Sequence, residues 1–419
     1  MGRPRGRLFR VLRSIGPGII TGAADDDPSG IATYSIAGAQ FGNGLLWTAL
    51  LTWPLMAAVQ MMCARIGLVT GRGLAANLKQ RFPKWMLVLF ICALLIANTI
   101  NIAADLAGMS DAAQMLTGIP VKWFLAGFVV LICVATVKLP YRRFADVLKW
   151  LVVVLIAYPA TAFITHVNWG EVARGTLLPT LPHSRPEWST LVAILGTTIS
   201  PYLFFWQTSA EVEEEIDAGK ATLRERKGAT AEEITASNID VSMGTLFSNV
   251  VMFFIIVTTA ATLNAHGITH IETTRQAAEA LGPLAGKFAS LLFTVGLVGL
   301  GLLAIPTLAG SAAYAFADTF RWKQGLSRKF GRARSFYTVM VLSTVFAGIL
   351  TAMKLNPVQM LYWSAVLNGL LAPFVLVTIL MVSRDAKLMN GHPSSRVGWI
   401  AVAVTTLAMF VAGAAMFVV

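Results

Sequence analysis

An acidic run interrupts an apolar segment near the start of this chain. Asp25-Asp26-Asp27-Pro28-Ser29-Gly30 lies inside an otherwise apolar stretch from Ile15 to Phe41. A carboxylate at bilayer depth costs roughly 3 kcal/mol on insertion-derived scales. Pro28 removes a backbone donor and clashes with the preceding turn, and Gly30 weakens a helix further. A lipid-facing helix does not carry such a run. A broken helix lining a water-filled cavity does, and membrane carriers hold substrate at breaks of this kind.

Composition places the run in a membrane. Of the 419 residues, 56% are hydrophobic and only 13% charged, with a mean hydropathy of +0.68. A soluble domain carries about 25% charged residues. The expected class is an all-α, polytopic membrane protein with the lipid bilayer as its surroundings. The net charge of +12 raises nucleic acid as a partner, but its distribution argues for membrane orientation instead. Cys63, Cys92 and Cys133 stand alone in apolar segments and read as small buried hydrophobes. No phosphate-binding glycine loop with lysine, paired metal-ligand histidines or nucleophilic triad is present, so neither an enzyme nor a cofactor is expected. No obligate protein partner is evident.

Eleven spans are expected. They lie near 15–41, 44–67, 85–107, 123–137, 148–165, 188–207, 241–263, 286–316, 337–353, 358–382 and 397–419. With the N-terminus inside, alternate connections hold 27 of the 33 Lys and Arg residues. That asymmetry predicts a cytoplasmic N-terminus and an outside C-terminus in the cell (inner) membrane. The longest inside connection, Glu211 to Ser237, reads as a short solvated helical linker, with a cytosolic metal sensor as its alternative.

A second break echoes the first. The sixth span is interrupted at Thr197-Thr198-Ile199-Ser200-Pro201, five spans after Asp27-Pro28-Ser29-Gly30. Five is odd, so the second copy is inverted relative to the first, as in inverted-repeat carriers. The expected architecture is a LeuT-like 5+5 inverted repeat with helices 1 and 6 broken. Residues 1–14 form a basic cytoplasmic N-terminus. Residues 15–166 and 188–382 form the two repeats, and 397–419 an added helix.

At the two breaks the chain resembles the NRAMP divalent-metal transporters. Gly16-Pro17-Gly18, Asp27-Pro28-Ser29-Gly30 and Ala37-Gly38-Ala39 resemble that family's first helix and its Asp-Pro-Gly-Asn break. Ile199-Ser200-Pro201-Tyr202 falls where the sixth helix carries Met-Pro-His, and Asp105-Leu106-Ala107-Gly108 resembles Asp-Leu-Ala-Glu of the third. The resemblance implies a metal held by Asp27. It also exposes departures: Gly30 replaces Asn, Ser200 replaces Met, Gly108 replaces an acid, and Tyr202 replaces His. The chain thus reads as an NRAMP-related outlier nearer the magnesium-associated branch.

The candidate metal or substrate residues are Asp27, Gly30, Thr197, Ser200, Asp26 and Gln207. A carboxylate at a break approaches an ion while unwound backbone offers carbonyls. Asp25 and Asp26 repel Asp27, so one carries a proton or faces the entry vestibule. Ser200, Thr197 and Thr198 supply hydroxyls, either to an ion or to the broken helix itself. Gln207 faces the same cavity or caps and packs. Asp105, Tyr202 and Asp240 are candidates for a proton or polar pathway, with a structural role for Asp105 beside Asn101, and for Asp240 and Asn249, as the alternatives. All five histidines fall in connections, and His266 and His270, four apart, can share a helical face.

With sulfur gone from position 200, the oxygen donors suit Mg²⁺ or Mn²⁺. The expected function is alternating-access transport of such a cation with weak or no proton coupling. The alternative is a carrier of a small organic solute on the same fold.

Overall fold

The computed structural model describes residues 17–139, 151–353 and 355–419. The expected basic segment 1–14, Ile15 and the start of the fifth span at 148–150 lie outside the described residues. Every element among the described residues is helical. The longer helices are α1 (Pro17–Asp25), α2 (Pro28–Phe41), α3 (Trp47–Thr70), α4 (Leu74–Arg81) and α5 (Lys84–Thr117). Then follow α6 (Val121–Lys138), α7 (Ala157–Ile164), α8 (Trp169–Leu177), α9 (Arg185–Thr198) and α10 (Pro201–Asp217). The chain closes with α11 (Ala231–Thr262), α12 (Ala289–Phe320), α13 (Arg334–Thr351), α14 (Pro357–Ser383) and α15 (Arg396–Val418).

Nine helical stretches among the described residues are long and apolar enough to cross a membrane, with α9 and α10 together forming one of them. The two other expected spans are the α1–α2 pair and the segment ending in α7. Both expected breaks are present. Pro28 and Pro201 each occupy the first turn of a new helix, where proline's fixed φ and missing N–H do no harm. The half-helices on either side of Pro201, α9 and α10, form the most shielded of those nine stretches, with 94% of its apolar window buried. That burial leaves a protein-lined interior at the break, where irregular backbone is tolerated.

Glycine contacts seat the half-helices on their neighbours. A Cβ on Gly22 would lie 2.3 Å from the Gly244 carbonyl oxygen, so α1 touches α11 backbone to backbone. A Cβ on Gly196 would lie 2.0 Å from the Ala365 carbonyl oxygen, so α9 meets α14 in the same way. α2 packs against α5, α9, α11 and α14, and α10 against α1, α3 and α12.

Three expected boundaries move, the seventh span beginning at Ala231 rather than near 241 because Thr230 caps α11 there. The third span continues past Ala107 to Thr117, because its small and apolar residues meet no helix stop before Gly118 at φ +75°. The sixth continues past Gln207 to Asp217, so the acids read as the start of a solvated linker belong to the span. Glu211 and Glu215 are buried, and Glu213 accepts from the Tyr314 hydroxyl and from the Leu326 amide at 2.8 Å. Partners on α10 itself, on α11 and α12 and in the adjoining turns make these carboxylates tolerable. His266 and His270 share no helical face, since a short 3₁₀ turn ends at His266 and Gly267 follows in the left-handed region.

Candidate functional site

The first break is built around Asp27. Its backbone is extended (φ −70°, ψ 171°), which ends the run of helical conformation between α1 and α2. Its Oδ1 accepts from the Gly30 amide at 2.8 Å and from the Ser29 hydroxyl at 2.6 Å, capping α2. This satisfies orphan donors of the first turn and sets a carboxyl group at the positive end of a helix. Its Oδ2 accepts from Asn101 Nδ2 on α5 at 3.1 Å. The carboxylate is therefore fixed on both sides and only 2% exposed.

Asp25 closes α1, Asp26 follows it, and both meet Ser248 of α11. The Ser248 hydroxyl lies 2.7 Å from Asp25 Oδ2 and 3.0 Å from Asp26 Oδ1. One hydroxyl has one proton to give, so it donates to only one of the two carboxyls. Asp25 Oδ1 and Asp26 Oδ2 have no hydrogen-bond partner, and both side chains are at most 1% exposed.

The second break faces the first. Ile199 leaves the helical region (φ −121°, ψ 56°), and Ser200 is extended before Pro201. A Cβ on Gly30 would lie 3.0 Å from Thr197 Oγ1 and 3.5 Å from the Asp25 carbonyl oxygen. Gly30 and Thr197 are thus neighbours, and Gly30 keeps that space open. Ser200 Oγ donates to the Gly196 and Thr197 carbonyls at 2.7 and 2.9 Å, and Thr198 Oγ1 donates to the Ile194 carbonyl at 2.8 Å. The Ser200 hydroxyl is spent on carbonyls left by the break, and the Thr198 hydroxyl on a carbonyl one turn back in α9. The Thr197 hydroxyl has no such bond. Tyr202, on the first turn of α10, donates its hydroxyl to the Ala24 carbonyl at 2.9 Å.

Other expected residues lie elsewhere in this polar interior. Gln207 accepts from Thr21 Oγ1 at 2.5 Å and donates to Glu211 Oε1 at 2.9 Å, which also accepts from Ser237 at 2.7 Å. It belongs to a chain joining α1, α10 and α11. Asp240 accepts from the Gly18 amide at 2.6 Å, at the first turn of α1. Asn249 bonds Thr52 and the Thr245 carbonyl. Asp105 is fully buried on α5, one turn beyond Asn101. Neither of its oxygens makes a well-formed hydrogen bond, and the Ser29 amide is the backbone donor that approaches it. Its expected partner, Asn101, turns its amide N–H to Asp27 instead. A Cβ on Gly108 would lie 2.9 Å from Leu361 Cδ1, so that side chain fills the space beside it.

Among the described residues, no group of three or more His, Cys, Asp or Glu side chains forms a ready metal cage. An ion at the breaks would draw on one or two carboxylates plus amide, hydroxyl and main-chain oxygens. The pairing of Asn101 with Asp27 and the Ser248 contact were not found by sequence reasoning. The one available signal was Asn101 itself, a polar residue in the middle of an apolar span.

A family model described as natural resistance-associated macrophage protein-like (Nramp) matches residues 18–419. A mutant of the Eremococcus coleocola manganese transporter is similar in structure at TM-score 0.75 and 19% identity, covering 99% of this chain and 89% of that one. The same transporter in complex with an aromatic bis-isothiourea substituted compound gives TM-score 0.72 at 21% identity, with the same coverage of 99% and 89%. Mhp1, a nucleobase-cation-symport-1 family transporter, is similar in a closed conformation with bromovinylhydantoin bound. Its TM-score is 0.55 at 17% identity, covering 96% of this chain and 90% of that one. At these identities the structural likeness is one of fold.

Proposed function

This chain belongs to the natural resistance-associated macrophage protein-like (Nramp) family, and on that premise we propose that it carries divalent metal cations across a membrane by alternating access. Members of that family are transporters, so the protein is not an enzyme, and any metal it handles is cargo rather than a cofactor. The observation that carries the reading is Asp27: a buried carboxylate held in place at a broken helix, with a second break beside it.

The oxygen chemistry favours Mg²⁺ or Mn²⁺. Ser200 brings no sulfur and spends its hydroxyl on backbone, so no soft donor stands at the second break. Mg²⁺ demands oxygen ligands at about 2.0–2.1 Å and usually keeps several waters. A site with few carboxylates suits an ion that arrives partly hydrated. Asp26, Thr197 and the Gly30 backbone would line the same space.

Proton coupling is absent or weak in this reading. Gly108 bears no side chain, and Leu361 occupies the space beside it. The Tyr202 hydroxyl is committed to the Ala24 carbonyl. We place the N-terminus in the cytoplasm of the inner membrane and the C-terminus outside, because 27 of 33 basic residues fall on one side. We divide the chain into inverted repeats at 15–166 and 188–382, with 397–419 beyond them. A small organic solute is the second reading, favoured by the likeness to Mhp1 with bromovinylhydantoin bound. Three aspartates beside the break oppose an anionic solute.

Calorimetric titration of the purified protein with Mg²⁺, Mn²⁺ and Cd²⁺ tests the metal reading. Binding of Mg²⁺ or Mn²⁺ that exceeds Cd²⁺ is expected. A strong Cd²⁺ preference would contradict an oxygen-only site, and a response to organic acids without metal would favour the second reading.

A further inference from the structure

Asn101 stands at the site without having been assigned to it. It is fully buried in the middle of α5, and its Nδ2 donates to Asp27 Oδ2 at 3.1 Å. Its other amide atom, Oδ1, has no hydrogen-bond partner. Buried acceptors are rarely left unpaired, because the group gives up its bonds to water and gains nothing in return. Amide geometry holds Oδ1 about 2.3 Å from Nδ2. The oxygen therefore lies within about 5.4 Å of Asp27 Oδ2 in any orientation.

Four residues along, Asp105 repeats the pattern. Residues at this spacing share a helix face. Asp105 is also fully buried, and neither of its oxygens is properly satisfied. Across the breaks, Thr197 Oγ1 makes no well-formed hydrogen bond, the Tyr34 hydroxyl being the group that approaches it, and it borders Gly30. Unsatisfied buried oxygens thus converge on the breaks from α5 and α9, while the neighbouring hydroxyls of Ser200 and Thr198 are used up by backbone. On α5 the unsatisfied atoms, Asn101 Oδ1 and the two Asp105 oxygens, are oxygen acceptors, and a cation is a ligand that satisfies several of them at once.

We infer that α5 is the third wall of the ion site, with the Asn101 carbonyl oxygen as a ligand and its amide N–H fixing Asp27. The inference rests on the proposed divalent-cation function and adds a residue to it. It makes a hard, oxygen-seeking cation the preferred occupant, because an amide oxygen replaces a softer donor from another helix. A purely positioning role for Asn101 would orient Asp27 equally well for any divalent metal. The ligand role changes which metal is chosen.

Affinity ratios separate these roles. Titrate the purified full-length protein with Mg²⁺ and with Cd²⁺, as wild type, Asp27→Ala and Asn101→Met. Methionine removes the amide and offers a thioether that suits soft metals. We expect Asn101→Met to weaken Mg²⁺ binding about tenfold or more and to raise the Cd²⁺-to-Mg²⁺ affinity ratio by at least about tenfold. An unchanged ratio, with a thermal unfolding midpoint near wild type in the absence of metal, would overturn the inference. Asn101→Asp provides the second arm should the methionine variant not fold. It keeps an oxygen and loses the N–H, so retained or tighter Mg²⁺ binding supports the ligand role. A tenfold loss in Asn101→Asp would assign the effect to the N–H and overturn it. If wild type binds and Asp27→Ala does not while both Asn101 variants behave as wild type, only this inference falls. If wild type binds neither metal, the parent reading falls with it.

Discussion

The Tyr202 hydroxyl donates to the Ala24 carbonyl at 2.9 Å, across 178 positions of sequence. Ala24 lies in the last turn of α1, where carbonyls have no partner within the helix. Tyr202 opens α10 directly after the second break. One hydrogen bond therefore satisfies an orphan group of one broken helix with a side chain of the other. It also commits the hydroxyl at the position where the resembled family carries a titratable histidine.

Tyr202→Phe removes this tie and leaves the Ala24 carbonyl buried without a partner. The cost of such a group is about 1–3 kcal/mol. Unfolding of the purified variant by chemical denaturant should show a loss of that size. Wild-type stability would mean that the carbonyl finds another donor.

Ser200→Ala separates a structural hydroxyl from a ligand. The side chain donates to the Gly196 and Thr197 carbonyls, so its loss should lower stability by about 1–3 kcal/mol. Mg²⁺ affinity measured by calorimetry should stay within about threefold, less than 1 kcal/mol. A tenfold loss would place the hydroxyl on the ion.

Gly108→Glu tests whether the third span still has room for an acid. Its Cβ would approach Leu361 Cδ1 at 2.9 Å, so one side chain must move. The substitution should destabilise the protein, and Leu361→Ala in the same background should recover part of the loss. A double-mutant cycle should give a coupling of about 0.5 kcal/mol or more. Additive effects would show that the two positions do not contend for space.

Asp385 should contribute to the acid sensitivity of the fold. The backbone amides of Leu388 and Lys387, then Arg81, hold its carboxyl below the usual value. Arg81 Nη1 lies 2.5 Å from Asp385 Oδ2. A depressed folded-state value means the contribution is present above the unfolded value of about 3.9. It is lost as pH falls through the folded one. Because the pair is partly exposed, its worth is about 1 kcal/mol or less. Thermal midpoints measured between pH 5 and 3, roughly spanning that range, should fall less steeply in Asp385→Asn than in wild type. Parallel slopes would contradict this assignment.

Much of this architecture is legible because prolines act locally. Pro54, Pro306 and Pro373 are carried inside α3, α12 and α14, whereas Pro28 and Pro201 each follow a polar residue in extended conformation and open a new helix, with Asp27 a natural cap for the first. The partners of the acids are not legible, because they come from distant segments. Asn101 meets Asp27 across 74 positions, and Ser248 meets Asp26 across 222. Glu211 and Glu215 read as loop residues because charge usually marks solvent. Burial is met by Gln207 and Lys220, which are local partners four and five positions away, and by Ser237, which only the fold brings to Glu211.

The central claim is that a divalent cation crosses the membrane by way of Asp27. The direct measurement is uptake into proteoliposomes containing a metal-sensitive dye, with Mg²⁺ or Mn²⁺ added outside and a pH-sensitive dye in parallel. Wild type should take up metal without matching acidification, and Asp27→Ala should lose uptake while remaining folded. Equal signals from wild type and Asp27→Ala would contradict the account.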